Sequence, residues 1–133
     1  MPYTRTDAAA PLRVLVVDDC QQLRDSIRMA LESAGLLVVG EAGDGVEALA
    51  EAAVRNPDVV LMDLAMPGMD GVEATRYLRR QQPHMPVVLW SGEDDARLAA
   101  AIRRSGAHAG VPKGVSAGNL VAALRAACQS RAT

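Results

Sequence analysis

The sequence contains no phenylalanine, and its only aromatic residues besides histidine are Tyr3, Tyr77 and Trp90. So few aromatics leave the interior to Val, Leu, Ile, Met and Ala, and argue against a surface that holds nucleic acid by stacking bases. Cysteine is almost as scarce: Cys20 and Cys128 stand at opposite ends, with no CxxC spacing and no neighbouring histidine. That argues against a thiolate metal centre and fits free thiols in a reducing compartment. Basic runs are missing too. The net charge is −2, with acidic and basic residues spread along the chain, so nothing offers the patch that would grip DNA or RNA phosphates. Apolar runs such as residues 59–62 are strand-length, whereas a membrane helix needs about 20 residues. Residues 1–11 lack the continuous apolar core of a secretory leader and read as a flexible lead. A cytoplasmic protein without membrane or direct nucleic-acid contact is the expectation.

What is present fits one folded domain. The chain has 133 residues, half of them apolar and 23% charged, which suffices for a single core. Nearly continuous Val/Leu stretches at 13–17, 36–40, 58–62, 87–90 and 109–111 have the character of parallel strands covered on both faces. Helical patterns alternate with them. Leu23, Ile27, Ala30, Leu31 and Ala34 precede Gly35, a helix-ending glycine, and Val46, Leu49, Ala50 and Ala53 precede Asn56-Pro57. Further helices are expected over 71–80, over 96–105 before Gly106, and after a Ser116 cap. Five such repeats predict an α/β fold, a flavodoxin-like (βα)5 three-layer sandwich whose parallel sheet has the order 2-1-3-4-5. The expected domain spans 12–129, with 130–133 as a tail.

In open sheets of this kind ligands bind beyond the carboxyl ends of the strands. Asp18 and Asp19 follow the first strand, Asp63 closes the third, Ser91 the fourth and Lys113 the fifth, so the predicted order gathers all five on one rim. Each aspartate alone is explained as a cap or turn residue. Three together raise one another's pKa unless a cation intervenes, and hard oxygen donors without Cys or His suit a partly hydrated Mg²⁺. Lys113 read alone is a solvated surface lysine. Yet it is the only lysine, the other 13 of the 14 basic residues being arginines, so its place calls for a compact point charge. Ser91 adds a small hydroxyl suited to a phosphoryl oxygen, and Gly92 leaves the site open.

The stretches V-L-V-V-D-D (14–19), D-V-V-L-M-D-L-A-M-P-G-M-D-G (58–71), V-V-L-W-S-G (87–92) and V-P-K (111–113) resemble the receiver domains of two-component response regulators. The segment E-A-G-D-G-V-E-A-L-A (41–50) looks like receivers of regulators that carry a C-terminal helix-turn-helix. The resemblance implies that Asp63 takes a phosphoryl group from a sensor histidine kinase or phosphotransfer protein. It implies Mg²⁺ on Asp19, Asp63 and the backbone carbonyl of Ala65, with Asp18 assisting through water, and Ser91 and Lys113 on the phosphoryl oxygens. It also implies a switching face of fourth helix, fifth strand and fifth helix, able to control a partner or output domain, to act in transcriptional regulation, or to pair two copies.

Two positions depart from the family. Its lysine is usually followed by a cis proline, whereas here Pro112 precedes Lys113 and Gly114 follows. Its switch aromatic lies three residues before the lysine, where this chain has Gly110. Trp90 either takes over that role or packs against the fourth or fifth helix, and packing is the expectation. These departures keep a second reading open, a receiver-like interaction module that needs no phosphorylation. A phosphohydrolase with an aspartate nucleophile would need a second Asp at position 65, where Ala65 can move no proton. A flavin or nucleotide module would need a phosphate-cradling loop after the first strand, where Asp18-Asp19-Cys20 stands instead.

Overall fold

A computed structural model describes residues 10–131; residues 1–9 of the expected lead and 132–133 of the expected tail lie outside the described residues. The elements alternate without exception: β1 (Arg13–Val17), α1 (Gln21–Ser33), β2 (Leu37–Ala42), α2 (Gly45–Arg55), β3 (Val59–Asp63), α3 (Gly71–Gln81), β4 (Val87–Ser91), α4 (Asp95–Ser105), β5 (Ala109–Pro112) and α5 (Ala117–Arg131). The five strands pair in parallel in the order β2-β1-β3-β4-β5, as expected.

Alternation along the strands divides the core into two layers. Leu15, Val17, Val60, Met62, Val87 and Leu89 pack under α2, α3 and α4. Val14, Val16, Val59, Leu61, Val88 and Trp90 pack under α1 and α5. Burying each such side chain stabilises the fold by about 1.5–3 kcal/mol. Because both faces are covered, β3 and β4 are buried at every residue. The edge strand β2 instead alternates in burial.

The helix ends follow local chemistry. Asp44, Asp70 and Asp94 accept the backbone N–H of Glu47, Glu73 and Arg97, and Ser116 accepts that of Asn119. At the other ends Asn56 closes α2 at φ 48° and Gly106 closes α4 at φ 83°. Arg13 reaches from β1 to donate to the carbonyls of Arg55 and Asn56, which α2 leaves unpaired at its C-terminus.

Two glycines mark close approaches. A Cβ on Gly71 would lie 2.3 Å from the Asp63 carbonyl oxygen, so α3 begins directly against the end of β3. A Cβ on Gly110 would lie 2.8 Å from Leu98 Cδ1 and 2.9 Å from Ile102 Cδ1, so α4 rests on bare β5 backbone.

Candidate functional site

The sheet order brings the carboxyl ends of β1, β3, β4 and β5 to one rim, and each supplies a polar group. Asp18 is fully buried, while Asp63 and Ser91 are each 1% exposed. Lys113 crosses from the end of β5 and places Nζ 3.0 Å from Asp18 Oδ2 and 3.1 Å from Asp63 Oδ1. Its backbone N–H donates to the Ser91 carbonyl at 2.8 Å, which fixes its root to β4.

The aspartates are held from the main chain as well. Asp18 donates its N–H to the Ala42 carbonyl on β2 at 3.0 Å, and its Oδ1 accepts the Cys20 N–H at 2.8 Å. Asp63 Oδ1 accepts the Ala65 N–H at 3.3 Å. The other oxygen, Asp63 Oδ2, is buried and has no hydrogen-bond partner. Ser91 Oγ accepts the Glu93 N–H at 2.8 Å, leaving the hydroxyl hydrogen to donate elsewhere.

Charge and burial compete at this rim. Burial pushes the Asp63 carboxyl up to about 6; the Lys113 hydrogen bond opposes the rise and the Asp18 charge adds to it. For Lys113 burial alone would lower the pKa, but its hydrogen bonds to Asp18 and Asp63 outweigh burial and raise it. Oxygens of Asp18, Asp19 and Asp63 lie within 4.8 Å of one another, with Asp19 exposed at the mouth. An unpartnered buried carboxylate oxygen within an all-oxygen donor set fits a hard divalent cation such as Mg²⁺.

Of the residues expected from the sequence, Asp18, Asp63 and Lys113 touch directly, Asp19 completes the acidic group, and Ser91 is tied to Lys113 through the backbone. Ala65 enters through its N–H. Among the described residues no peptide bond is cis, so Lys113–Gly114 is trans. Trp90 is 4% exposed and packs on the α1/α5 side, with Lys113 Nζ 4.9 Å from its ring centroid. Sequence reasoning missed Arg24 of α1, which donates to the Asp18 carbonyl and to Glu41 of β2. With 13 arginines in the chain, no signal separates this one from its surface counterparts.

Beside the acidic group a groove of about 640 Å³ opens between the β3–α3 loop and α4, with Ala65 and Met66 on one wall and Glu93 and Arg97 on the other. No helix among the described residues is long and apolar enough to cross a membrane.

Comparison with known proteins agrees with this geometry. Residues 14–125 match the family described as response regulator receiver domain. The chain is 42% identical over 115 residues to response regulator GacA of Pseudomonas viridiflava, covering 86% of this chain and 54% of that protein. It is 36% identical over 126 residues to the transcriptional regulatory protein PdtaR of Mycobacterium tuberculosis, covering 95% of this chain and 61% of PdtaR. The chain thus spans about half to three-fifths of these relatives. Among solved structures, a two-component response regulator of the LuxR family from Aurantimonas sp. SI85-9A1 superposes with TM-score 0.85 at 32% identity, covering 92% of this chain and 88% of that one.

Proposed function

Because this chain belongs to the response regulator receiver domain family, we propose that Asp63 is its phosphoacceptor and that phosphorylation changes which partner the domain engages. The observation that supports this most directly is the rim itself, where Lys113 pairs with both buried aspartates while Asp63 Oδ2 lacks any donor. A carboxylate oxygen so placed attacks the phosphorus of a phosphohistidine on a sensor kinase or phosphotransfer protein. An O–P bond forms, the P–N bond breaks, and the leaving imidazole takes up a proton. Asp19, Asp63 and the backbone carbonyl of Ala65 would hold Mg²⁺, with Asp18 acting through water; the ion supplies charge neutralisation and orients the phosphoryl oxygens. Lys113 balances the added negative charge, and the Ser91 hydroxyl donates to a phosphoryl oxygen.

The output would leave through α4, β5 and α5, since Lys113 and Ser91 root in β5 and β4 and α4 lies directly on Gly110. Among the described residues none of the exposed large hydrophobics lies on α4, β5 or α5. A partner, or a second copy pairing through this face, would therefore meet mainly small and charged side chains. The similarity to GacA and PdtaR supports an output in transcriptional regulation, and a sequence with only two cysteines and no CxxC spacing fits the reducing cytoplasm.

The test is incubation with acetyl phosphate and Mg²⁺ followed by intact mass. One phosphoryl adduct is expected, absent in Asp63→Asn and after chelation of Mg²⁺. A wild-type chain that gains no adduct would instead support the phosphorylation-independent module.

A further inference from the structure

The turn between β1 and α1 carries Asp18 and Asp19, yet α1 is the helix whose N-terminus has no side-chain cap. Its N-cap residue, Cys20, makes no such bond, and the first turn holds no acidic residue. The N-termini of α2, α3, α4 and α5 are each closed by an Asp or Ser side chain. Besides the bonds of Asp18 to the main chain of Ala42 and Cys20, one side chain of α1 reaches back to the acidic turn.

The Arg24 side chain is 13% exposed and spends its fork on three separate segments. Nη1 donates to the main-chain carbonyl of Asp18. Nε donates to Glu41 Oε1 at 3.0 Å, on β2, and Nη2 to Gln21 Oε1 at 2.6 Å, in the first turn of α1. Glu41 is fixed in turn by Arg28, whose Nη2 and Nε lie 2.7 and 3.0 Å from Oε2. Burial would raise the Glu41 carboxyl, but hydrogen bonds from Arg28 and then Arg24 hold it below its ordinary range. The base of the fork is thus charged and rigid, and its tip rests on the backbone of a residue in the acidic group.

We propose that Arg24 is a positioning residue for the cation site: anchored on Glu41 and Gln21, it holds the Asp18 carbonyl and so sets the turn that presents Asp18 and Asp19. This rests on the reading of the acidic group as a Mg²⁺ site. Arginine suits the task because a planar fork serves three acceptors at once, whereas an ammonium is a single point charge. Supporting partners of metal ligands commonly change metal affinity about 10- to 100-fold when removed.

Arg28 provides the control, since it binds the same Glu41 but makes no bond to the acidic turn. Mg²⁺ affinity is measured by titration calorimetry, and the unfolding midpoint is recorded with chelator. Arg24→Gln is expected to weaken Mg²⁺ about 10-fold, while Arg28→Gln lowers the midpoint yet leaves Mg²⁺ affinity within about twofold of wild type. Arg24→Lys, kept as the variant that retains the charge beside Glu41, is expected to fold and to bind Mg²⁺ several-fold more weakly. Wild-type affinity in either Arg24 variant would overturn the proposal, as would an equal loss in Arg28→Gln. A wild-type chain that takes up no Mg²⁺ would overturn the cation reading itself, and this proposal with it.

Discussion

His108 sits at the end of the sheet opposite the acidic rim. Its Nδ1 accepts the Val87 N–H at 3.2 Å, and its Nε2 lies 3.5 Å from Arg79 Nη1. Accepting through Nδ1 requires the neutral ring. Burial first, and the Arg79 charge second, lower its pKa below the ordinary value of 6.5. The folded state binds this proton less readily than the unfolded one, so the contribution to stability is present above about pH 6.5 and is lost as the pH falls toward the folded value. Urea unfolding at pH 7 and pH 5 should therefore show a smaller loss of stability in His108→Gln than in wild type. Equal losses would mean that the ring is not held neutral. Residues of this kind divide into those that sequence can single out and those it cannot. Asp63 stands in a specific motif and Lys113 is the only lysine, so both were legible. Arg24 and His108 acquire their partners only through the fold, across 17 and 21 positions of sequence.

At the scale of elements the strands were legible because parallel strands covered on both faces must be apolar throughout. Their ends were less so. The second strand, expected at 36–40, runs over Leu37–Ala42, because Val16 and Val17 pair with Glu41 and Ala42, where the apolar pattern has already stopped. The third, expected at 58–62, runs over Val59–Asp63, since the Asp58 carboxylate accepts the Arg13 N–H at 2.9 Å and closes the start of the sheet. The contact between α4 and β5 was visible only as an absence, a glycine where the family carries its switch aromatic. The structure shows that space already taken by Leu98 and Ile102. A ring placed there must displace α4. Gly110→Phe should destabilise by about 1–3 kcal/mol through overpacking, and Leu98→Ala by about 2–5 kcal/mol through the cavity it leaves. Combined, the two should cost less than their sum by about 1 kcal/mol or more, because each relieves the other. Additive costs in denaturant unfolding would show that the two positions do not share that space.

Across the whole molecule, the covered sheet that makes the core also collects its polar strand ends on one rim, and there the fold works against itself. Asp18 and Asp63 share a single ammonium, that of Lys113, and Asp19 adds a third carboxylate beside them. Asp63, 1% exposed, carries a carboxyl raised from 3.8 to about 6, so the folded state holds its proton more tightly than the unfolded one. Its contribution to stability is fully present below about pH 3.8 and is lost as the pH rises through about 6. At pH 7 the ionised carboxylate therefore costs the metal-free fold stability. Asp63→Asn removes that charge and should raise metal-free stability by about 1–3 kcal/mol at pH 7, a gain of several degrees in Tm. The advantage should shrink as the pH falls toward 4. Mg²⁺ should reverse the order. A ligand at 100 times its Kd stabilises by about 2.7 kcal/mol, which wild type gains in full and Asp63→Asn only in part. Thermal unfolding of both proteins at pH 7 and pH 4.5, with Mg²⁺ and with chelator, separates the terms. If Asp63→Asn is less stable than wild type without metal at pH 7, the Lys113 pairing outweighs the cost of burying Asp63, and the rim is a settled ion pair rather than a site held ready for charge.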